Sequence, residues 1–80
     1  MKQHRNHKYE ETHSLLEKLS HREFEVLTRV GKGLSLRAAG AQMGISDKTV
    51  STYQTRLMEK LNLYNRTDVV RFALQSGLID

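Results

Sequence analysis

Apolar residues along this 80-residue chain recur at helical spacing in four stretches, and nowhere alternate as a half-buried strand would. Phe24, Leu27 and Val30, with Val26 beside them, mark the buried stripe of a first helix over about 20–31. Leu36, Ala39, Gly40 and Met43 form the inner face of a second, 35–43. Val50, Tyr53, Gln54, Leu57, Met58 and Leu61 trace one long face of a third, 46–61. Val69, Val70, Phe72, Ala73 and Leu74 spread over more than one face of a fourth, 65–76. A helix apolar on two faces needs two partners. The pattern predicts an all-α, four-helix bundle.

The polar residues between these stretches supply the stops and starts. Ser20 caps the first helix, and Glu23 three residues on completes a capping box, with Leu19 and Phe24 as a hydrophobic staple. Gly31 and Gly33 end that helix. Ser35 caps the second. Ser46 caps the third, stapled by Ile45 and Val50, and Asn65 caps the fourth, with Asp68 three later and Tyr64 and Val69 as a third staple. Gly77 stops the fourth helix. Ahead of the bundle, Leu15, Leu16 and Leu19 predict a short helical lead-in, or a turn that tucks leucines under the domain. Residues 1–13 are polar with one aromatic, Tyr9, and read as a flexible arm or interdomain linker; residues 14–80 form the domain.

The second and third helices are spaced in a particular way. Gly40 lies inside a helix, where glycine costs about 1 kcal/mol against alanine. That cost predicts a neighbouring backbone too close for a side chain. Gly44 follows where a left-handed turn residue is wanted, and apolar Val50 stands six beyond. This is the spacing of a helix-turn-helix.

Composition narrows the function. A chain this short buries about 60–65% of its unfolded surface, so the core is modest. No cysteine is present, hence no disulfide and no thiolate metal site, and no proline interrupts a helix. His4, His7 and His13 lack a supporting ligand pattern, so no metal or other cofactor is expected. Gly31-Lys32-Gly33 lacks the spacing of a nucleotide loop, the serines lack a catalytic arrangement, and capping accounts for Glu23. No catalytic residue is assigned and no enzyme is expected. No apolar run reaches the ~18 residues of a membrane span and no signal-peptide core is present, so a soluble, cytoplasmic protein is expected. Thirteen Lys and Arg against nine Asp and Glu give a formal charge of +4, which fits a polyanion.

The outer face of 46–61 carries Lys48, Thr52, Thr55 and Glu59, flanked by Ser51 and Arg56. Short hydroxyl side chains let a helix backbone approach base edges in a major groove. They equally suit a plain solvated face. Ser35 and Arg37 stand at the start of the second helix, an end that attracts phosphate.

The runs L-S-H-R-E-F-E-V-L at Leu19–Leu27, G-L-S at Gly33–Ser35, G-I-S-D-K-T-V at Gly44–Val50, K-L-N-L-Y-N-R-T at Lys60–Thr67 and G-L-I at Gly77–Ile79 together resemble the output domain of the LuxR family, the NarL/FixJ class of bacterial transcription regulators. The K-T-V-S-T-Y run at Lys48–Tyr53 is similar to its response-regulator branch. The resemblance implies double-stranded DNA binding, with helix 46–61 in the major groove. Base contacts then fall on Ser51, Thr52 and Thr55, with a shorter reach than the lysines many members carry at the first and last of these. Phosphate contacts fall on Ser35, Arg37, Lys48, Thr49, Tyr53, Arg56 and Lys60. Lys60 and Arg66 match recurring basic positions that touch phosphate or close the domain by an ion pair with Glu23 or Glu59.

A homodimer on DNA is expected through the fourth helix at Val70 and Leu74, unless Leu15, Leu16 or Leu78 covers that face. RNA polymerase is a further candidate partner. Activation would come from a receiver domain joined through the arm, although a stand-alone regulator is also open. Helix two departs most from the family: Ala38-Ala39-Gly40 replaces a Glu-Ile-Ala-like run, which predicts a weaker helix or a filler such as Phe24 or Tyr53. Two alternatives compete: a sigma-factor-like promoter reader, and an interaction module that kept the fold but lost DNA contact.

Overall fold

The computed structural model describes residues 11–79, and every regular element among them is a helix. Residues 11–16 form a short α1. The four predicted helices follow as α2 (His21–Gly31), α3 (Leu36–Met43), α4 (Asp47–Leu61) and α5 (Arg66–Gln75). The arm expected over 1–13 therefore gives way to helix by residue 11; His4, His7 and Tyr9 lie outside the described residues.

Each predicted cap is made. At Ser20 the box is reciprocal: the Glu23 N–H donates to the Ser20 Oγ at 3.1 Å, and the Ser20 N–H donates to the Glu23 carboxylate at 2.9 Å. Ser35 accepts from the Ala38 N–H, Ser46 from Thr49 and Asn65 from Asp68. Asp68 does not return the favour to Asn65. It accepts from the Tyr64 N–H, one residue earlier.

α2 sits at the centre, packed against α4 and α5, while α3 packs chiefly on α4. The core is Val26, Leu27, Val30, Ala39, Val50, Leu57, Leu61, Val69 and Ala73. Leu15, Leu16, Leu19, Leu78 and Ile79 close it from the two ends of the chain.

Two local expectations are corrected and a third is extended. Phe24 is 36% exposed and lies outside the core, so Leu19 packs inward without it; Val26, on the flank of the predicted stripe, is fully buried instead. Tyr64 is 78% exposed, so the third staple does not form, and Leu63 takes the inward position. Gly31 and Gly33 end α2 as expected, Gly31 as its last residue and Gly33 with φ of 96°, but Gly31 is also buried, and a Cβ there would stand 2.5 Å from the Cβ of Ala73. Its missing side chain is what lets α2 and α5 touch.

Candidate nucleic-acid interface

The α3–α4 pair is locked by the backbone at Gly40. A Cβ at Gly40 would lie 2.6 Å from the Ile45 carbonyl oxygen, so the turn runs where a side chain would be. The Ile45 N–H donates to the Gly40 carbonyl at 3.0 Å, and the Gly44 N–H donates to the same oxygen. Gly44 has φ of 73°, the left-handed conformation that reverses the chain without a Cβ penalty. Ala39, small where the family run is bulkier, is fully buried; Tyr53 packs against the core, and the exposed Phe24 is not the filler.

This docking fixes which residues of α4 face outward. Val50, Leu57 and Leu61 are buried, and Tyr53, Gln54 and Met58 are half-buried beside them. Lys48, Thr49, Thr52, Thr55 and Arg56 are exposed, and Ser51 is half-buried. The hydroxyls are not equivalent. Thr49 Oγ1 shares a hydrogen bond with Ser46 Oγ at 3.0 Å, within the cap, and Thr52 Oγ1 donates to the Lys48 carbonyl at 3.2 Å. Ser35 and Arg37 are exposed at the start of α3. From Ser35 to Met58 the sequence carries three cations, Arg37, Lys48 and Arg56, against one carboxylate, Asp47.

Three cations elsewhere are committed to the fold. Lys60 donates to the Glu23 carboxylate at 2.7 Å, so of its two expected roles the domain-closing ion pair is the one formed. Burial raises the pKa of Glu23, but the hydrogen bonds from Lys60 and from the Ser20 backbone outweigh it and hold the carboxyl below its usual value. Arg66 donates to the Leu34 carbonyl and ties α5 to the loop before α3. Arg29 Nε donates to Gln42 Oε1 at 3.0 Å, joining α2 to α3. That Arg29–Gln42 bridge spans two helices and carries no local signal in the sequence.

On the far side, Arg66, Thr67, Val70, Arg71 and Leu74 line a shallow groove along α5. Leu74 is 49% exposed and Val70 half-buried, so the leucines at the chain ends do not cover this face completely. No helix among the described residues is long and apolar enough to cross a membrane.

Residues 17–73 match the model of the bacterial regulatory proteins, luxR family. The chain is similar to a transcriptional regulator of Pseudomonas aeruginosa, 42% identical over 81% of this chain and 31% of that protein. It is also similar to the oxygen regulatory protein NreC of Staphylococcus carnosus, 37% identical over 78% of the chain and 29% of NreC. The response regulator UvrY of Escherichia coli is 32% identical over 86% of the chain and 32% of UvrY. The chain thus spans about a third of the length of the curated relatives it matches.

Proposed function

The chain belongs to the luxR family of bacterial regulatory proteins, a family of DNA-binding transcription regulators, and on that premise we propose that it reads double-stranded DNA with α4 in the major groove. The observation that carries this reading is the exposed row Lys48, Thr52 and Thr55 on a helix whose opposite side is core. Nothing acidic stands in that row ahead of Glu59, and its only long member there, Lys48, is a cation. Thr52, Thr55 and the half-buried Ser51 are the proposed base contacts. Ser35, Arg37, Lys48, Thr49, Tyr53 and Arg56 are the proposed phosphate contacts, which fix register and carry no sequence information. Lys60 is left out, because its ammonium serves Glu23.

The domain acts as the output part of a regulator of the response-regulator type, working in the cytoplasm where its DNA is, with RNA polymerase as a second partner at the promoter. One copy touches few bases, so two copies on repeated half-sites supply the specificity, meeting through Val70 and Leu74. A sigma-factor-like reading has no support beside the family match.

Selection of bound sequences from random duplex DNA, followed by anisotropy titration at several salt concentrations, tests the reading. Affinity falls steeply with salt, and Lys48→Ala weakens all sequences alike and lowers the log–log salt slope by about 1. Thr55→Ala changes the preferred sequence. Recovery of no motif sinks the reading and favours the interaction module.

A further inference from the structure

The three proposed base contacts carry hydroxyls, yet one of them has already used its proton. Thr52 Oγ1 donates to the carbonyl of Lys48, one turn earlier, at 3.2 Å. A threonine hydroxyl has a single proton to give. With that proton held by the helix, Thr52 has no donor left for the groove. The Cγ2 methyl is then the branch of Thr52 that no hydrogen bond holds. No such bond fixes Ser51 or Thr55.

We infer that Thr52 reads DNA with its methyl group, and that the base it selects is thymine, recognised through the C5-methyl. The inference rests on the DNA-reading role proposed for α4. Each major-groove edge bears on it differently. Guanine presents only acceptors there, N7 and O6, which a spent hydroxyl cannot satisfy and whose lone pairs meet its own. Thymine presents an acceptor and an apolar methyl. Adenine and cytosine present an amino donor, which could seek the Thr52 oxygen. That oxygen is turned toward Lys48, so the methyl is the better placed group. The residues beside it agree with an apolar contact: Ser51 and Thr55 are short, and the flanking cation Lys48 is one turn away.

The test uses the 80-residue chain and the sequence recovered from random duplex DNA. Each thymine of the half-site is replaced in turn by deoxyuridine, which removes one methyl and leaves every hydrogen-bonding group. One such position lowers affinity by roughly fourfold per half-site, the equivalent of about 0.8 kcal/mol for one methyl group returned to water. Thr52→Val keeps the methyl, and retains both the preferred sequence and the sensitivity to deoxyuridine. Thr52→Ser keeps the hydroxyl, and abolishes that sensitivity at the one position. Circular dichroism confirms that both variants are folded, as expected for an exposed site.

Two results overturn the inference while leaving DNA binding in place: every thymine tolerates deoxyuridine, or Thr52→Val loses the sequence preference that Thr52→Ser keeps. The second would make the oxygen the reader. Failure to recover any sequence from the selection overturns the DNA-reading role itself, and the inference with it.

Discussion

The Lys60 ammonium lies 2.7 Å from the Glu23 carboxylate, 37 positions away in the chain, and so joins the first turn of α2 to the last turn of α4. The same carboxylate oxygen closes the capping box on the Ser20 N–H. One side chain thus starts the central helix and pins the end of the recognition helix to it. Glu23 is 3% exposed, whereas the Lys60 side chain is 39% exposed.

Removing Lys60 strands a buried carboxylate. Lys60→Met lowers unfolding free energy by about 1.5–3 kcal/mol, the range for a hydrogen bond to a charged group, toward the lower end because Lys60 is partly solvated. The pH dependence has a definite sign. The folded pKa of Glu23 is depressed, so its contribution is present above the unfolded value and is lost as pH falls through the folded one. Urea midpoints measured from pH 6 downward should fall below the ordinary carboxylate value for the wild type. In Glu23→Gln that part of the fall is missing.

Gly40→Ala gives a second, independent test. Helix propensity alone predicts a gain of about 1 kcal/mol. The Ile45 carbonyl, 2.6 Å from where the Cβ would stand, predicts the reverse. A backbone oxygen cannot swing aside as a side chain can, so a net loss of about 1–3 kcal/mol is expected in urea unfolding. DNA affinity falls as well, because α4 shifts against α3. A stabilised variant would show that the turn yields.

Gln54 places its Oε1 in the half-buried margin of α4 with no hydrogen-bond partner. A buried acceptor left unsatisfied costs about 1–3 kcal/mol, so Gln54→Met, similar in volume and without that oxygen, stabilises the domain by roughly 1 kcal/mol. Gln54 is not among the proposed base or phosphate contacts, so DNA affinity is expected to change little. A loss of stability would mean that the amide is engaged in solution.

The proposed dimer contact can be separated from DNA contact. Leu74→Asp leaves the affinity for a single half-site intact and lowers affinity for two adjacent half-sites about 10-fold or more, toward the single-site value. Arg66 and Arg71 flank Val70 and Leu74 in the same groove. A two-fold contact therefore brings like charges together, and self-association without DNA strengthens as salt rises, measured by sedimentation. Equal losses on single and paired sites would remove the dimer role.

The sequence by itself determined the four main helices, their caps and their order. Those features are local: a serine accepts the N–H three residues on, and a 3.6-residue period marks an inner face. The helix-turn-helix was legible for the same reason, since Gly40 and Gly44 carry a local cost that only a close backbone and a left-handed turn explain. The candidate contacts on α4 were legible as the polar side of one helix.

Tertiary structure decided what a long side chain touches when two distant elements offer it partners. Lys60 was open between phosphate and an ion pair, and the position of α2 beside α4 settled it on Glu23. Phe24 and Tyr64 fit the staple pattern at its spacing, yet the elements packed around them leave both exposed. Gly31 reads as a helix stop and is one, but it is also a contact point because Ala73 lies against it. The proton of Thr52 belongs with these: a hydroxyl at that position is visible in the sequence, but whether it faces the groove or the carbonyl of Lys48 is set by a rotamer, which a string of residues does not contain.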